Sequence, residues 1–271
     1  RYVRVYDVNA PTKTGLRNVT VNPGPPTKFI VQPSSPTNVT AGAGLIGGSV
    51  AKAYRKKFPR VIIDAVEPAR IPWPASFGKR FARITAADVN RYDLILLSAP
   101  PSINDKKLSY LLRHVHKPSV VMDTGSVKES ICAIAARAPN RSIRFVGAHP
   151  MAGSEKPGFV SARPELFLDS TTFVCPIPGT PPAIFARATA FWKLIGSKVS
   201  VIDPSRHDRV VAQTSHLPHI WSAILASSIQ GRKRLPHGRG LRDMTRLAAS
   251  DPGLWADILI QNAKNVGRQL E

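Results

Sequence analysis

The sequence predicts an α/β fold: a doubly wound, mostly parallel sheet followed by an all-helical domain. Three observations predict it. Short runs of β-branched and leucine-rich residues alternate with segments of helical spacing from about residue 39 to 202. A glycine-rich turn opens the first of these helical segments, and beyond Asp203 the strand signals stop and only helical spacing continues. With 271 residues, 43% of them apolar, the chain has material for one large or two modest buried cores.

Residues 1–38 carry Pro11, Pro23, Pro25, Pro26, Pro33 and Pro36 without regular periodicity, and read as an irregular extension. The glycosylation-like triplets at Asn18 and Asn38 are expected to be chance matches, because no leader pattern precedes them. A short first strand is expected at residues 37–41. It runs into Gly42-Ala43-Gly44-Leu45-Ile46-Gly47, the G-x-G-x-x-G spacing of a dinucleotide turn. Glycine is needed there for the tight turn, for close approach of backbone to a pyrophosphate and for close helix packing, with the helix N-terminus facing the phosphates.

The helix beginning near Val50 stops before Pro59, and residues 61–67 form the next strand. That strand ends on Glu67, 20 residues after Gly47, where a carboxylate would hold the ribose diol. This favours NAD, and nearby Arg70 keeps NADP as the alternative. Residues 92–99 form a buried strand whose end places Ser98 and Pro100 at the cofactor, and residues 104–116 have helical spacing. The strand at 119–123 opens into Gly125-Ser126, which offers donors to a cofactor or simply caps the helix at 129–137.

A strand ending near Val146 is expected to release a loop, 146–158, carrying His149, whose ordinary pKa of ~6.5 suits proton transfer. Strands at 171–175 and 198–202 flank one more helix. Residues 206–229 and 242–270 then read as two long helices, giving a dinucleotide-binding domain at 39–202 and a helical substrate and dimerisation domain at 203–271. His216 and His219 share a helix face but lack the further ligands that zinc requires, so no metal site is expected. Arg242 and Arg246, four apart, could hold a carboxylate or form a solvated basic face.

The charge balance, 38 Lys and Arg against 17 Asp and Glu, gives a net +21. It suits anionic small molecules and would also support loose nucleic-acid or membrane-surface binding, but no aromatic-interleaved RNA-binding motif accompanies it. No apolar run is long enough to span a membrane. Two unpaired-looking cysteines, Cys132 and Cys175, fit a reducing cytoplasm.

Taken together, G-A-G-L-I-G-G-S, D-T-G-S-V-K, A-H-P-M-A-G-S-E-K-P-G, T-S-H-L-P-H and G-L-R-D-M-T-R-L-A-A-S-D-P-G-L-W resemble the prephenate and arogenate dehydrogenase family, over residues 42–265. The resemblance implies NAD-dependent oxidative decarboxylation of prephenate to 4-hydroxyphenylpyruvate in tyrosine synthesis, by a homodimer. Arogenate is the alternative substrate. It implies His149 as the hydrogen-bonding base and Ser126 as the residue orienting it and the nicotinamide. Arg246 and His219 would hold substrate carboxylates, and Glu155 would sit near the pocket mouth. The ending at Glu271 suggests an abbreviated helical domain, and the absence of any mutase-like or regulatory segment suggests a monofunctional enzyme. The rival from another class is a catalytically degenerate dehydrogenase fold that binds nucleic acid through its basic surface.

Overall fold

The computed structural model describes residues 28–32 (as backbone), 44–67, 71–83, 85–138, 142–154, 158–229 and 238–271. Among them eight strands form one sheet in the order β3-β2-β1-β4-β5-β6-β7-β8. The strands are β1 (Lys28–Gln32), β2 (Ile62–Val66), β3 (Arg80–Phe81), β4 (Leu94–Leu97), β5 (Ser119–Asp123), β6 (Ile143–Pro150), β7 (Thr171–Cys175) and β8 (Lys198–Val201). All pairings are parallel except β6 with β7. The helices of this domain are α1 (Leu45–Lys57), the single turn α2 (Ala86–Val89), α3 (Pro101–His114), α4 (Glu129–Arg137) and α5 (Pro182–Leu194).

The central strands are buried on both faces because helices cover both. Successive side chains of a strand point to opposite faces. Leu94, Leu96, Val120 and Met122 therefore pack with Tyr54 of α1 and with Phe191 and Trp192 of α5. Ile95, Leu97 and Val121 pack on the other side with Leu108 and Leu111 of α3 and Ile131 of α4. This explains the unbroken apolar runs L-I-L-L and S-V-V-M, which show no polar alternation.

Three sequence expectations are corrected. The strand in the first position is Lys28–Gln32, paired with β2 and β4, inside the segment read as irregular extension. The sheet domain therefore starts before residue 39. Prolines on both sides leave the Phe-Ile-Val run of this strand too short to show any periodicity of its own. The strand expected at 37–41 lies outside the described residues, as do Gly42, Arg70 and both glycosylation-like triplets.

Second, His149 is not in a loop. Residues 143–146 of β6 run parallel with β5, and residues 147–150 continue as an antiparallel partner of β7, with His149 opposite Phe173. Pro150 is tolerated because it is the strand's last residue, and Met151 supplies the next donor, to the Thr171 carbonyl at 2.7 Å.

Third, the second long C-terminal helix is interrupted, and the first, helical throughout as expected, carries a π-helical turn. The first is α6 (Pro204–Val211), a π-helical turn at Ala212–His216, and α7 (Leu217–Ser228). The second is α8 (Arg239–Thr245), a 3₁₀ turn at Arg246–Ala249, α9 (Pro252–Gln261) and α10 (Ala263–Leu270). Pro252 cannot sit inside a helix but suits a first turn, and Asp251 caps that turn by accepting from the Leu254 amide at 2.7 Å. No helix among the described residues is long and apolar enough to cross a membrane.

Candidate active site

A cleft of about 470 Å³ opens beyond the C-terminal ends of β4 and β5. Open α/β sheets place ligands there. One wall is Gly44, Leu45 and Ile46 at the start of α1, with Ser98 and Pro100 after β4. The floor holds Gly125, Ser126 and His149, followed by residues 150–154. The far wall comes from the helical domain through Arg246, Asp251, Leu254, Trp255 and Ile258.

The α1 wall suits a phosphate-bearing ligand. Gly44 caps α1 with no side chain bonded to the first-turn amides, so these donors face the cleft unclaimed by a cap. The Ser98 hydroxyl is buried and has no partner among the described residues. Each such group gains a hydrogen bond from a ligand at little further desolvation cost.

His149 is the most constrained group in the cleft. It is 7% exposed, and its Nδ1 lies 2.9 Å from His207 Nε2. His207 Nδ1 lies 2.7 Å from Asp208 Oδ1. Asp208 also accepts the Lys128 and Glu129 amides, each at 2.8 Å, and so caps α4 from the neighbouring domain. Because that carboxylate can only accept, His207 carries its proton on Nδ1. Its Nε2 then accepts from His149 Nδ1–H, and His149 Nε2 keeps a free lone pair.

Burial first, then the neighbouring His207, Lys128 and His216, holds His149 well below the ordinary imidazole range. Burial likewise pushes His207 down to about 2. Both rings are neutral at physiological pH, so His149 is ready to accept a proton. Burial raises Asp208, while the two amide donors and the Lys128 charge oppose it.

A second buried group sits beneath. Asn262, between α9 and α10, donates to the Asp208 carbonyl at 2.8 Å and to His216 Nδ1 at 3.0 Å. Trp255 lies against both histidines of α7 and its entry turn, stacked on His219 at 3.5 Å and edge-on to His216. His219 Nδ1 is buried without a partner among the described residues.

Of the residues expected from the sequence, the cleft gathers Gly44, Leu45, Ile46, Ser98, Pro100, Ser126, His149 and Arg246. Ser126 and His149 share it without a hydrogen bond between them; His207 orients the imidazole instead. His219 stands behind Trp255. Gly47 is buried within α1, and Glu67 is buried past the end of β2, its amide bonded to the Phe81 carbonyl, away from the cleft lining. Arg242 is exposed on α8 and does not line the cleft, so the pair of arginines expected to act together is divided. Gly42 and Glu155 lie outside the described residues.

Sequence reasoning missed His207, Asp208, Lys128, Asn262 and Trp255. The adjacent His-Asp in P-S-R-H-D-R, directly after an Asp-Pro helix start, was the available signal.

Comparison with known proteins places the chain in a family. The family model described as prephenate dehydrogenase, nucleotide-binding domain, matches residues 50–201, and that described as prephenate dehydrogenase, dimerization domain, matches residues 203–271. The cyclohexadienyl dehydrogenase of Zymomonas mobilis is 32% identical over 234 residues, covering 82% of this chain and 79% of its own. The prephenate dehydrogenase of Bacillus subtilis is 29% identical over 242 residues, covering 85% of this chain but only 65% of its own length. The crystal structure of prephenate dehydrogenase from Aquifex aeolicus in complex with hydroxyphenyl propionate and NAD+ superposes with a TM-score of 0.76 at 25% identity, over 90% of this chain and 85% of that one.

Proposed function

The chain belongs to the prephenate dehydrogenase family, and from that premise we propose that it oxidatively decarboxylates prephenate to 4-hydroxyphenylpyruvate with NAD, arogenate being the alternative substrate. The observation that carries the reading is the buried chain Asp208–His207–His149, which ends on a free imidazole nitrogen in the cleft.

Gly44, Leu45, Ile46, Ser98 and Ser126 would hold NAD, which supplies a hydride acceptor. His149 Nε2 accepts the proton of the ring hydroxyl as the hydrogen on the same carbon leaves as hydride. The ring carboxylate then departs as carbon dioxide, its bonding electrons complete the aromatic ring, and His149 returns the proton to the phenolate oxygen. While charged, the imidazolium is stabilised by His207 Nε2, and behind it by Asp208. Arg246 faces the same space and suits a substrate carboxylate. Leu254 and Trp255 set apolar surface beside His149 in the cleft.

The preference for NAD over NADP rests on the sequence position of Glu67. A homodimer is supported by the match to a dimerization domain and by large apolar side chains left exposed on it, Trp221, Ile224, Met244 and Ile260. The matching families and relatives are dehydrogenases, and the nucleic-acid alternative finds no support in them.

The test is NADH formation by the purified chain with NAD, given prephenate and arogenate in parallel. Turnover of either supports the reaction and ranks the two substrates. A folded, NAD-binding sample that turns over neither would refute it.

A further inference from the structure

We propose that Lys128 is a positioning residue for the His149 base, joining from one buried place the two arms that hold that imidazole in the cleft. The inference rests on reading His149 as the base.

The first arm runs through the lysine side chain. Its ammonium is fully buried and pairs with Asp123 Oδ2 at the end of β5. Asp123 Oδ1 accepts the amide of Ala148, the residue before His149, at 3.1 Å. Oδ2 also accepts the amide of Gly125, the residue before Ser126, at 2.9 Å. The parallel ladder between β5 and β6 ends at the Met122–Val146 pair. From there the Asp123 carboxylate takes over the work of the missing backbone acceptor, and Lys128 fixes that carboxylate.

The second arm runs through the lysine backbone. Its amide donates to Asp208 Oδ1, the same oxygen that receives His207 Nδ1–H, and His207 holds His149. One residue thus sets both the strand position and the ring orientation of His149.

A buried ion pair is weak evidence for stability, since desolvating both charges costs several kcal/mol and an apolar pair of similar shape often does as well. What the pair gives here is orientation and field. His207 and Asp208 face the imidazole from α6, His216 from the π-helical turn, Asp123 from β5 and Arg246 from across the cleft. After burial, the positive charge of Lys128 is among the causes that keep His149 unprotonated. A base kept neutral this way works at lower pH than an exposed imidazole would.

The experiment compares the intact protein with Lys128→Met and with the double variant Asp123→Asn/Lys128→Met, which removes both charges and leaves no carboxylate stranded in the core. Both keep the Lys128 amide, so the second arm is intact in each. The titration of His149 is followed by nitrogen NMR on histidine-labelled protein without substrate, and the pH profile of turnover is measured beside it. The expected result is a His149 titration moved to higher pH in Lys128→Met, a matching move of the acid limb of its turnover profile, and in both variants a kcat lower by about ten- to a hundredfold, the scale of a misplaced catalytic group. A folded Lys128→Met whose His149 titrates where the intact protein's does, or a folded double variant that keeps the intact protein's kcat, would overturn the proposal. Silence of the intact enzyme with both substrates would instead refute the proposed reaction, while the NMR comparison would still decide the role of Lys128.

Discussion

Replacing His216 with glutamine should flatten the acid side of the protein's stability profile. His216 is fully buried in the π-helical turn. Its Nδ1 accepts from Asn262, which places its proton on Nε2, and Nε2 has no partner among the described residues. A second proton would have to displace the Asn262 bond inside the core. Burial, reinforced by His219 and opposed by Asp208, accordingly pushes the group down to about 4.

In the unfolded chain the same imidazole titrates near ~6.5. Between those two values the unfolded state binds a proton that the native state refuses, so native stability falls as pH falls through the window and levels off below the native value. From pH 7 to pH 5 this one group removes about 2 kcal/mol. Burial raises the carboxyls of Asp105, Asp123 and Asp208, which act in the opposite direction, but they are common to both proteins and cancel in the comparison. Urea unfolding followed by tryptophan fluorescence at the two pH values gives the answer. The parent should lose about 2 kcal/mol more than His216→Gln on acidification. Equal losses would refute the reasoning, whatever the variant's stability at pH 7.

Two further outcomes follow from the cleft and its walls. Arg246→Ala should raise KM for the cyclohexadienyl substrate by about tenfold or more, the worth of a lost charge-assisted hydrogen bond, with little change in NAD affinity; an unchanged KM in steady-state kinetics would remove Arg246 from the substrate. Asp257 of α9 accepts the Ser102 amide at 3.0 Å and so caps α3 from the helical domain. Asp257→Ala should therefore cost about 1 kcal/mol, read as a lower urea midpoint, and an unmoved midpoint would mean that this link between domains contributes nothing.

The strands that carry the fold were legible because both their faces are buried. L-I-L-L and S-V-V-M-D announce themselves without any partner being known. Lys28–Gln32 was not legible, because five residues between prolines carry too little local signal, and its place between β2 and β4 is a property of the sheet. His149 was found by residue type and neighbours, yet its secondary structure was misjudged. The antiparallel partner that turns A-H-P into strand lies more than twenty residues later, at Thr171–Cys175.

The support of the site was the least visible part. Asp123, Lys128, His207, Asp208 and Asn262 come from three separate stretches, and only tertiary contact turns them into one network around the imidazole. Irregular turns in the C-terminal helices mattered for the same reason. The Asn262 break and the π-helical turn bring a side-chain amide to Asp208 and His216 that a continuous helix would have pointed elsewhere.

The measurement that bears most directly on the account is turnover by His149→Asn beside the parent enzyme, with prephenate and NAD saturating and NAD binding measured by titration calorimetry on both. Asparagine keeps a polar side chain of comparable reach but cannot take the proton. The account predicts NAD affinity within about twofold of the parent and kcat lower by about a hundredfold or more, the usual worth of a general base. Full turnover by the variant would contradict it, and would move the proton acceptor away from the Asp208–His207–His149 chain.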